Sequence, residues 1–350
     1  MSPGNPGRSR CLWDHGGVSA VGIVGAGRAA TLHAEAVRAT MGARLAGVAA
    51  TSTDSPRAVA LAGALDCPVL TMRELARACD VAVIATPPAV RAGALVELAS
   101  SRRLRAVLVE SPAATTLDGV AAVGAAFADR PIMAGANLLH APAVRLVLDA
   151  IAAMDPHHLE LRLAVPDPAR GSDAAPAFGG GVTMDPATGF WPVLMAALGA
   201  AVERVAAPRV EVTDGLDRAV EVVLQAAGGR TARAGLRWGA RVAEAAVEAA
   251  DPEHAVRVDV WPAPTAEIDG VPAGPPPGAS NPMVGLGFTA QIERLVRADN
   301  GEAQPWPGLA VAAAALTVSA AAALSARRNG VSVRVADVPR HLSPFEILNS

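Results

Sequence analysis

Two glycines stand where an apolar segment gives way to a helical one, and their spacing suits phosphate binding. The segment AVGIV ends at Val24, and GAGRAA follows it directly. In such a strand–turn–helix context the first glycine permits a tight turn, the second lets a pyrophosphate approach the backbone, and a small third residue allows close helix packing. The helix N-terminus adds unpaired N–H groups and a partial positive charge. We therefore predict a dinucleotide-binding turn at Gly25, Gly27, Arg28, Ala29 and Ala30. The alternative is a turn with a purely structural role.

The segment VAATSTDSPRA indicates which dinucleotide this turn would hold. An acidic residue some 20 residues beyond the glycines usually binds the ribose hydroxyls of NAD, and Ala50 stands near that position. The next residues offer hydroxyl groups and a cation, which are suited to binding a 2'-phosphate instead. These residues are Thr51, Ser52, Thr53 and Arg57. The pattern favours NADP over NAD, although Asp54 could still reach a ribose and a solvated polar loop would look the same.

Hydrophobic patterning predicts the elements that position these residues. Over 19–138, short apolar runs alternate with amphipathic segments, which is typical of βαβ units and of a doubly wound parallel sheet. Over 139–335, apolar and charged residues alternate at period two between helices, which indicates an α+β domain with an open, mostly antiparallel sheet. The predicted helices include one near 190–205 and an alanine-rich one at 308–326. Residues 1–18 are predicted to be a disordered leader, and 336–350 a C-terminal tail.

Composition excludes several classes of partner. The 350 residues carry a net charge of -3, and all 30 basic residues are arginine, so the chain contains no lysine. Without a basic run, nucleic acid and anionic membranes are not expected partners, and a small-molecule substrate is. The three cysteines lack a disulfide or metal spacing, which points to the cytoplasm. The apolar run 309–325 is predicted to be a buried helix rather than a membrane span.

Several motifs together resemble the Gfo/Idh/MocA oxidoreductase family, the relatives of glucose-fructose oxidoreductase and inositol dehydrogenase. The segments that carry the resemblance are VGIVGAGRAATLHAEAV with His33, DVAVIATPPAVRAGAL with Arg91, AVLVESPAATTLDGV, IMAGANLLHAPAVRLVLDAI and GGGVTMDPATGFWPVLMAALG. The resemblance implies a Rossmann domain followed by an α+β domain whose outer sheet face often forms homo-oligomers. It also adds Thr86, Pro87 and Glu110 to the expected cofactor contacts.

The resemblance also implies a lysine and a histidine beside the nicotinamide. Their positions in this chain are Ser111 and Gly189, so both proton-handling groups are replaced. Arginine bias does not explain this, because drift away from lysine would give arginine rather than serine. A serine hydroxyl titrates too high to be an efficient acid, and glycine carries no proton.

Three ionisable residues remain as catalytic candidates: His140, Glu110 and Asp185. The resemblance places His140 next to the substrate cavity, and imidazole is the usual proton carrier near neutral pH; a packed histidine at the domain boundary is the alternative. Glu110 could act if burial raised its pKa, and Asp185 could bind substrate or cap the glycine-rich loop. No metal site is predicted, because adjacent strand residues such as His157 and His158 point to opposite faces.

The leading prediction is an NAD(P)-dependent oxidoreductase, with NADP favoured, that acts on a small molecule with an atypical proton-transfer site. Reduction of an imine or a carbonyl in a biosynthetic pathway fits, because a protonated C=N bond needs no strong acid from the protein. One alternative is a catalytically degenerate partner subunit or ligand-binding module. Another is a non-redox lyase or isomerase that uses bound cofactor. The sequence contains no G-x-S-x-G motif, so a hydrolase is not supported.

Overall fold

The computed structural model describes residues 18–168, 175, 177–261, 263–274 and 281–350. Of the predicted leader only Val18 is within these ranges, so the rest of that prediction lies outside the described residues. Residues 275–280, in a Pro/Gly-rich segment before the last helices, also lie outside these ranges.

The first domain is a six-stranded parallel sheet with strand order β3-β2-β1-β4-β5-β6. Its strands are β1 (Ser19–Val24), β2 (Ala43–Ala49), β3 (Val69–Leu70), β4 (Val81–Ile84), β5 (Ala106–Val109) and β6 (Ile132–Ala134). Its helices are α1 (Arg28–Ala39), α2 (Pro56–Leu65), α3 (Met72–Ala78), α4 (Arg91–Ala99) and α5 (Leu117–Ala126). The strand order reverses between β1 and β4, which opens a crevice at the carboxyl ends of these strands. The predicted doubly wound Rossmann domain is confirmed.

The apolar runs form strands because both faces of this sheet are covered by helices. Every residue of β1, β4 and β5 is buried, as expected for central parallel strands. The edge strand β3 has only two residues, which is too short for a hydrophobic pattern, and it was not predicted.

Within its described residues, the second domain contains a nine-stranded sheet and six α-helices. The helices are α6 (Pro142–Ala152), α7 (Trp191–Leu198), α8 (Pro282–Gly285), α9 (Phe288–Asp299), α10 (Leu309–Arg327) and α11 (Pro344–Asn349). The strands are β7 (His158–Val165), β8 (Val202–Thr213), β9 (Leu216–Ala226), β10 (Thr231–Trp238), β11 (Glu244–Ala250), β12 (Ala255–Asp259), β13 (Thr265–Ile268), β14 (Val271–Ala273) and β15 (Val333–Arg334). Their order is β14-β13-β12-β11-β7-β10-β9-β8-β15, and all neighbours are antiparallel except β7 and β10. The prediction of an open, mostly antiparallel sheet is confirmed.

Two features differ from the predicted outline of this domain. The helix expected near 190–205 ends at Leu198, because Gly199 adopts a left-handed conformation that terminates it and β8 begins at Val202. The predicted tail 336–350 contains α11, which begins with a capping box between Ser343 and Glu346 and packs against α10.

Helix α9 packs on the first domain although it lies late in the sequence. Ile292 and Leu295 are buried in one cluster with Val21 and Val81 of the parallel sheet, and the Phe288 ring meets His33 of α1 edge-on at 5.1 Å. The linear boundary at 138/139 stays a prediction, but the chain clearly returns to the first domain after it has built the second sheet.

Helix α10 is long and apolar enough to cross a membrane by length and composition. Its middle residues, including Leu316 and Val318, are buried, and it packs against β8, α5 and α11. Contacts of this kind are typical of a core helix, as predicted.

Candidate nucleotide-binding and active site

The glycine turn after β1 has the geometry that a dinucleotide requires. Gly25 has φ of +119°, and an ideal Cβ there would lie 2.8 Å from the Ala85 carbonyl oxygen, so only glycine fits. Gly27 differs, because it is exposed and its ideal Cβ would meet no protein atom within 4 Å. The first glycine thus closes the turn, and the second leaves open space in front of its backbone.

The N-terminus of α1 leaves its first N–H groups without acceptors. No side chain caps Gly27, and no acidic residue lies in the first turn. The first backbone hydrogen bond of the helix runs from Thr31 N–H to Gly27 O, at 3.0 Å. The amides of Arg28, Ala29 and Ala30 therefore have no acceptor among the described residues. Free amides at the positive end of a helix form an anion site.

The loop after β2 is open to solvent, as the NADP prediction needs. Thr51, Ser52, Thr53 and Arg57 are all exposed. The Ser52 hydroxyl accepts the Asp54 N–H at 3.1 Å, and within the described ranges Arg57 makes no ion pair. The exposed hydroxyl groups and the Arg57 guanidinium are therefore able to bind a phosphate.

Thr86 follows β4 on the other side of the crevice. Its hydroxyl is buried and has no hydrogen-bond partner among the described residues, while Pro87 beside it is exposed. A buried polar group without a partner is costly unless a ligand or water completes it. Together with the open space at Gly27, this hydroxyl fits a bound dinucleotide.

Glu110 and Ser111 follow β5 and are fixed by the residues around them. His33 Nε2 donates to Glu110 Oε2, and the Ser111 N–H donates to Glu110 Oε1 at 3.0 Å. The Ser111 hydroxyl donates to the Gly135 carbonyl at 2.6 Å, and an ideal Cβ on Gly135 would lie 2.8 Å from Glu110 Cα. The carboxylate and the hydroxyl are therefore held in defined positions at this edge of the sheet.

The environment of Glu110 favours its charged form. Burial raises the pKa of the Glu110 carboxyl, but the hydrogen bond and charge of His33, the Ser111 amide and the charge of Arg91 outweigh it, and the pKa is lowered. The condition set for Glu110 as an acid, a raised pKa, is not met. Near neutral pH this side chain is a carboxylate, which can accept a proton or stabilise a cation.

A buried aspartate shapes the loop that carries Asp185 and Gly189. Asp217 Oδ1 accepts the Gly181 N–H at 2.9 Å, and its Oδ2 accepts the Thr183 N–H at 2.9 Å and the Thr183 hydroxyl at 2.7 Å. An ideal Cβ on Gly181 would lie 2.2 Å from the Asp217 carbonyl oxygen, so a side chain there would exclude this arrangement. Burial raises the pKa of the Asp217 carboxyl.

The same loop lies next to the segment that follows Glu110. An ideal Cβ on Gly179 would be 3.3 Å from the Thr115 side chain. Asp185 is half-buried, and an ideal Cβ on Gly189 would meet nothing within 4 Å. The structure thus leaves room at Gly189 for a β-carbon, the first atom of the side chain that the resemblance implies at this position.

His140 lies in an environment that disfavours the protonated form of its imidazole. It is 8% exposed, its ring meets Trp306 edge-on at 5.2 Å, and its buried Nε2 has no hydrogen-bond partner among the described residues. Burial, with the charges of Arg294 and Arg145, lowers the pKa of His140 to about 4 despite the backbone bond at Trp306. The imidazole is neutral near pH 7, so it would accept rather than donate a proton. Its catalytic role stays a prediction.

This buried histidine gives the protein a predicted acid sensitivity. The pKa of His140 is about 4 in the folded protein and 6.5 ordinarily. The contribution of neutral His140 to the free energy of unfolding is therefore fully present above pH 6.5 and is lost as the pH falls toward 4. The loss reaches about 3 kcal/mol once His140 is protonated in both the folded and the unfolded protein. Urea unfolding at several pH values should show this loss in the wild type and a smaller one in His140→Phe. A control variant, His157→Gln, removes an exposed histidine that makes no ion pair among the described residues and should keep the loss. Equal slopes for wild type and His140→Phe would refute the assignment.

Three residues on the outer face of the second sheet have the spacing of metal ligands. The ligand atoms of His158, Glu160 and Glu248 lie within 4.8 Å of one another. However, Arg162 pairs with Glu248 at 2.8 Å and Arg257 also binds it. These arginines already neutralise the carboxylates. His157 is not part of this group; it lies just before β7, so the prediction from adjacent strand residues does not apply to it.

Sequence reasoning did not assign roles to three residues that organise the site. They are His33, which holds Glu110; Arg91, which donates to the carbonyl oxygens of Glu110 and Pro112; and Asp217. Each acts across a distance in sequence that local patterns do not report.

The first domain matches a known family model. The Gfo/Idh/MocA oxidoreductase family model, described as an NAD-binding Rossmann fold, matches residues 19–137. No curated protein sequence matches this chain significantly.

Solved structures share the architecture of nearly the whole chain. GenD2 of gentamicin A biosynthesis, solved in complex with NAD, is 21% identical with a TM-score of 0.77, and the alignment covers 95% of this chain and 99% of that one. An aldose-aldose oxidoreductase from Caulobacter crescentus is 19% identical with a TM-score of 0.76, covering 90% and 99%. The UDP-N-acetylglucosamine 3-dehydrogenase GnnA from Acidithiobacillus ferrooxidans is 20% identical with a TM-score of 0.72, covering 87% and 97%. At these identities the likeness concerns the fold.

Proposed function

We propose, on the premise that residues 19–137 belong to the Gfo/Idh/MocA oxidoreductase family, that this protein is an NAD(P)-dependent oxidoreductase of a small molecule. The observation that carries the proposal is the intact phosphate cradle: the open space at Gly27 and the unbonded amides of α1. A protein that no longer used a dinucleotide would have little need of such close backbone approach.

We infer a preference for NADP over NAD from the loop after β2. Ala50 offers no carboxylate to the adenosine ribose, whereas Thr51, Ser52, Thr53 and Arg57 offer exposed hydroxyls and a cation. Charge-assisted bonds from such groups to a 2'-phosphate are stronger than neutral ones.

Exchanging these groups should change the cofactor preference. Arg57→Ala is expected to weaken NADPH binding about tenfold and NADH binding little, since one charged bond is worth about 1.5–3 kcal/mol. Ala50→Asp should weaken NADPH and strengthen NADH, because a carboxylate repels the phosphate and binds the ribose hydroxyls. Fluorescence titration of both nucleotides measures this, with Arg44→Ala as the control at the other end of β2. Unchanged ratios in both variants would refute the NADP preference.

Glu110 and Ser111 lie at the edge of the parallel sheet where the reaction is proposed to occur, here called the reacting edge. The charges at this edge support imine reduction over ordinary alcohol oxidation. A reduced nicotinamide, when bound, supplies a hydride. Glu110 is held as a carboxylate by His33 and the Ser111 amide, and the cationic lysine implied by the resemblance is a neutral serine. The Glu110 carboxylate, with no lysine next to it, favours a cationic iminium substrate, which arrives already protonated and needs no acid from the protein. A biosynthetic role accords with this chemistry.

The replacements at Ser111 and Gly189 also favour a second candidate, a partner subunit or ligand-binding module without turnover. NADPH and NADH titrations of the purified protein, followed by nicotinamide fluorescence, separate the two proposals. If the protein is an oxidoreductase, we expect saturable binding of NADPH. We also expect NADPH to be oxidised in the presence of a cyclic imine such as 2-methyl-1-pyrroline or of a carbonyl compound. Absence of binding by either nucleotide would leave the second candidate.

We further propose a cytoplasmic homo-oligomer that forms through the outer face of the nine-stranded sheet. Small residues lie at the middle of that face, at Ala164, Ala219 and Gly235, and they alternate with charged side chains along the strands. A second copy could approach closely over such residues and pair its charges. Sedimentation of wild type and Gly235→Arg tests this, and equal mass for both at the monomer value would refute it.

A further inference from the structure

Arg91, the first residue of α4, is 3% exposed. Among the described residues it is the only buried arginine. It forms no salt bridge within this part of the chain. Burial of a cation is costly without compensation, and the N-terminus of a helix is the unfavourable end for a positive charge. Something specific must therefore compensate the guanidinium.

The compensation consists of backbone carbonyls from two loops at the crevice. Nε donates to the Thr86 carbonyl at 2.9 Å, and Nη1 donates to the Glu110 carbonyl at 2.6 Å and to the Pro112 carbonyl. The last two acceptors stand on either side of Ser111. One rigid guanidinium thus joins the loop after β4 to the turn after β5, which a flexible ammonium group could not do with the same geometry.

We propose that Arg91 is a positioning residue that holds the turn Glu110–Pro112 against the loop after β4, and so fixes the Glu110 carboxylate and the Ser111 hydroxyl at the reacting edge. This inference rests on the proposed function for its chemical consequence, but the hold on the turn is a property of the fold itself. The charge also acts on the site: it is one of the groups that lower the pKa of Glu110, although desolvation lowers the pKa of Arg91 itself to about 10.

A second arginine that bonds three carbonyl oxygens provides a control, although it is less buried than Arg91 and also pairs with Asp129. Arg130 donates to the carbonyl oxygens of Leu104 at 3.1 Å, Ser101 at 3.2 Å and Ala99 at 3.3 Å. These carbonyls precede β5, at the opposite edge of the sheet from the crevice. Arg130→Lys therefore removes comparable bonds far from the proposed chemistry.

The first measurement is amide hydrogen exchange, with no ligand added, on wild type, Arg91→Lys, Arg91→Gln and Arg130→Lys. We expect exchange within 106–116 to accelerate about tenfold in both Arg91 variants, since loss of the hold lets the turn open locally, and to stay unchanged in Arg130→Lys. Wild-type exchange in Arg91→Lys, or equal acceleration in Arg130→Lys, would overturn the proposal. The thermal midpoint of Arg91→Lys shows whether this variant remains folded.

The second measurement uses NADPH itself and, where turnover is present, its oxidation. Arg91→Lys should keep NADPH affinity within about threefold but shift the emission of the bound nicotinamide and lower kcat rather than raise KM. In Arg91→Gln, loss of the cation should raise the pKa of Glu110 and so move the corresponding limb of the pH profile of kcat to higher pH. In Arg91→Lys, which keeps a cation, this limb should lie close to its wild-type position. If wild type binds no nucleotide, the proposed function fails, and the exchange experiment still decides the role of Arg91.

Discussion

Gly27→Ala is expected to weaken NADPH binding about 100-fold and to leave the fold intact. The backbone at Gly27 has φ of -92° and ψ of -176°, an extended conformation that any residue adopts, and the added Cβ would meet no protein atom within 4 Å. The methyl group would instead occupy the space that a pyrophosphate needs. Loss of one or two charge-assisted bonds at about 1.5–3 kcal/mol each gives this order of effect.

The control for this variant is Gly63→Ala in α2, where the added Cβ also meets nothing within 4 Å. It should bind NADPH as wild type does and gain slightly in stability, because alanine is the better helix former. Fluorescence titration and thermal unfolding of the three proteins separate binding from folding. Wild-type affinity in Gly27→Ala would mean that the phosphates do not lie over this turn, and the proposed function would have to be withdrawn.

Ser111→Lys is expected to raise carbonyl reduction about 100-fold and to lower imine reduction. The new ammonium group would follow the Glu110 carboxylate directly in sequence, at the position where the family resemblance implies a lysine, and a positioned general acid contributes about 10²–10⁴-fold. The same charge would repel a cationic iminium substrate. Steady-state NADPH oxidation with matched carbonyl and imine substrates measures both effects.

Two companion variants make this result interpretable. Ser111→Ala removes the bond to Gly135 O without adding a cation, so it should lower both activities together. Adding Gly189→His, whose Cβ would meet no atom within 4 Å, should raise carbonyl reduction further. A Ser111→Lys protein that binds NADPH but gains no carbonyl activity would show that the site is not arranged for the family's chemistry.

Local sequence patterns were sufficient to predict the two domains and the glycine turn. Buried parallel strands and half-buried antiparallel strands differ in the period of their apolar residues, and the turn residues are contiguous. The parallel pairing of β7 with β10 was not predicted, since pairing partners are not written in a strand's own pattern. The hairpin β13–β14 was missed because its strands are only four and three residues long.

The contacts that fix the reacting groups could not be derived in the same way. His33 meets Glu110 from 77 residues away, and Asp217 meets Gly181 from 36 residues away. The resemblance makes His140 a candidate proton carrier, but burial beside Trp306 and the charge of Arg294 decide the charge of its imidazole, and neither neighbour is close in sequence. Charge states depend on such neighbours, which only the folded chain brings together.

The return of α9 to the parallel sheet has a practical consequence for anyone who wishes to study nucleotide binding on a smaller fragment. A polypeptide cut at 138 would lack Met283, Phe288, Ile292, Leu295 and Val296, which are buried against α1 and the strands. Its exposed apolar surface would favour aggregation, and His33 would lose its aromatic neighbour behind Glu110. A minimal nucleotide-binding unit must therefore be assembled from two separate stretches of the gene product, for example by joining 19–138 to 281–300 through a short linker.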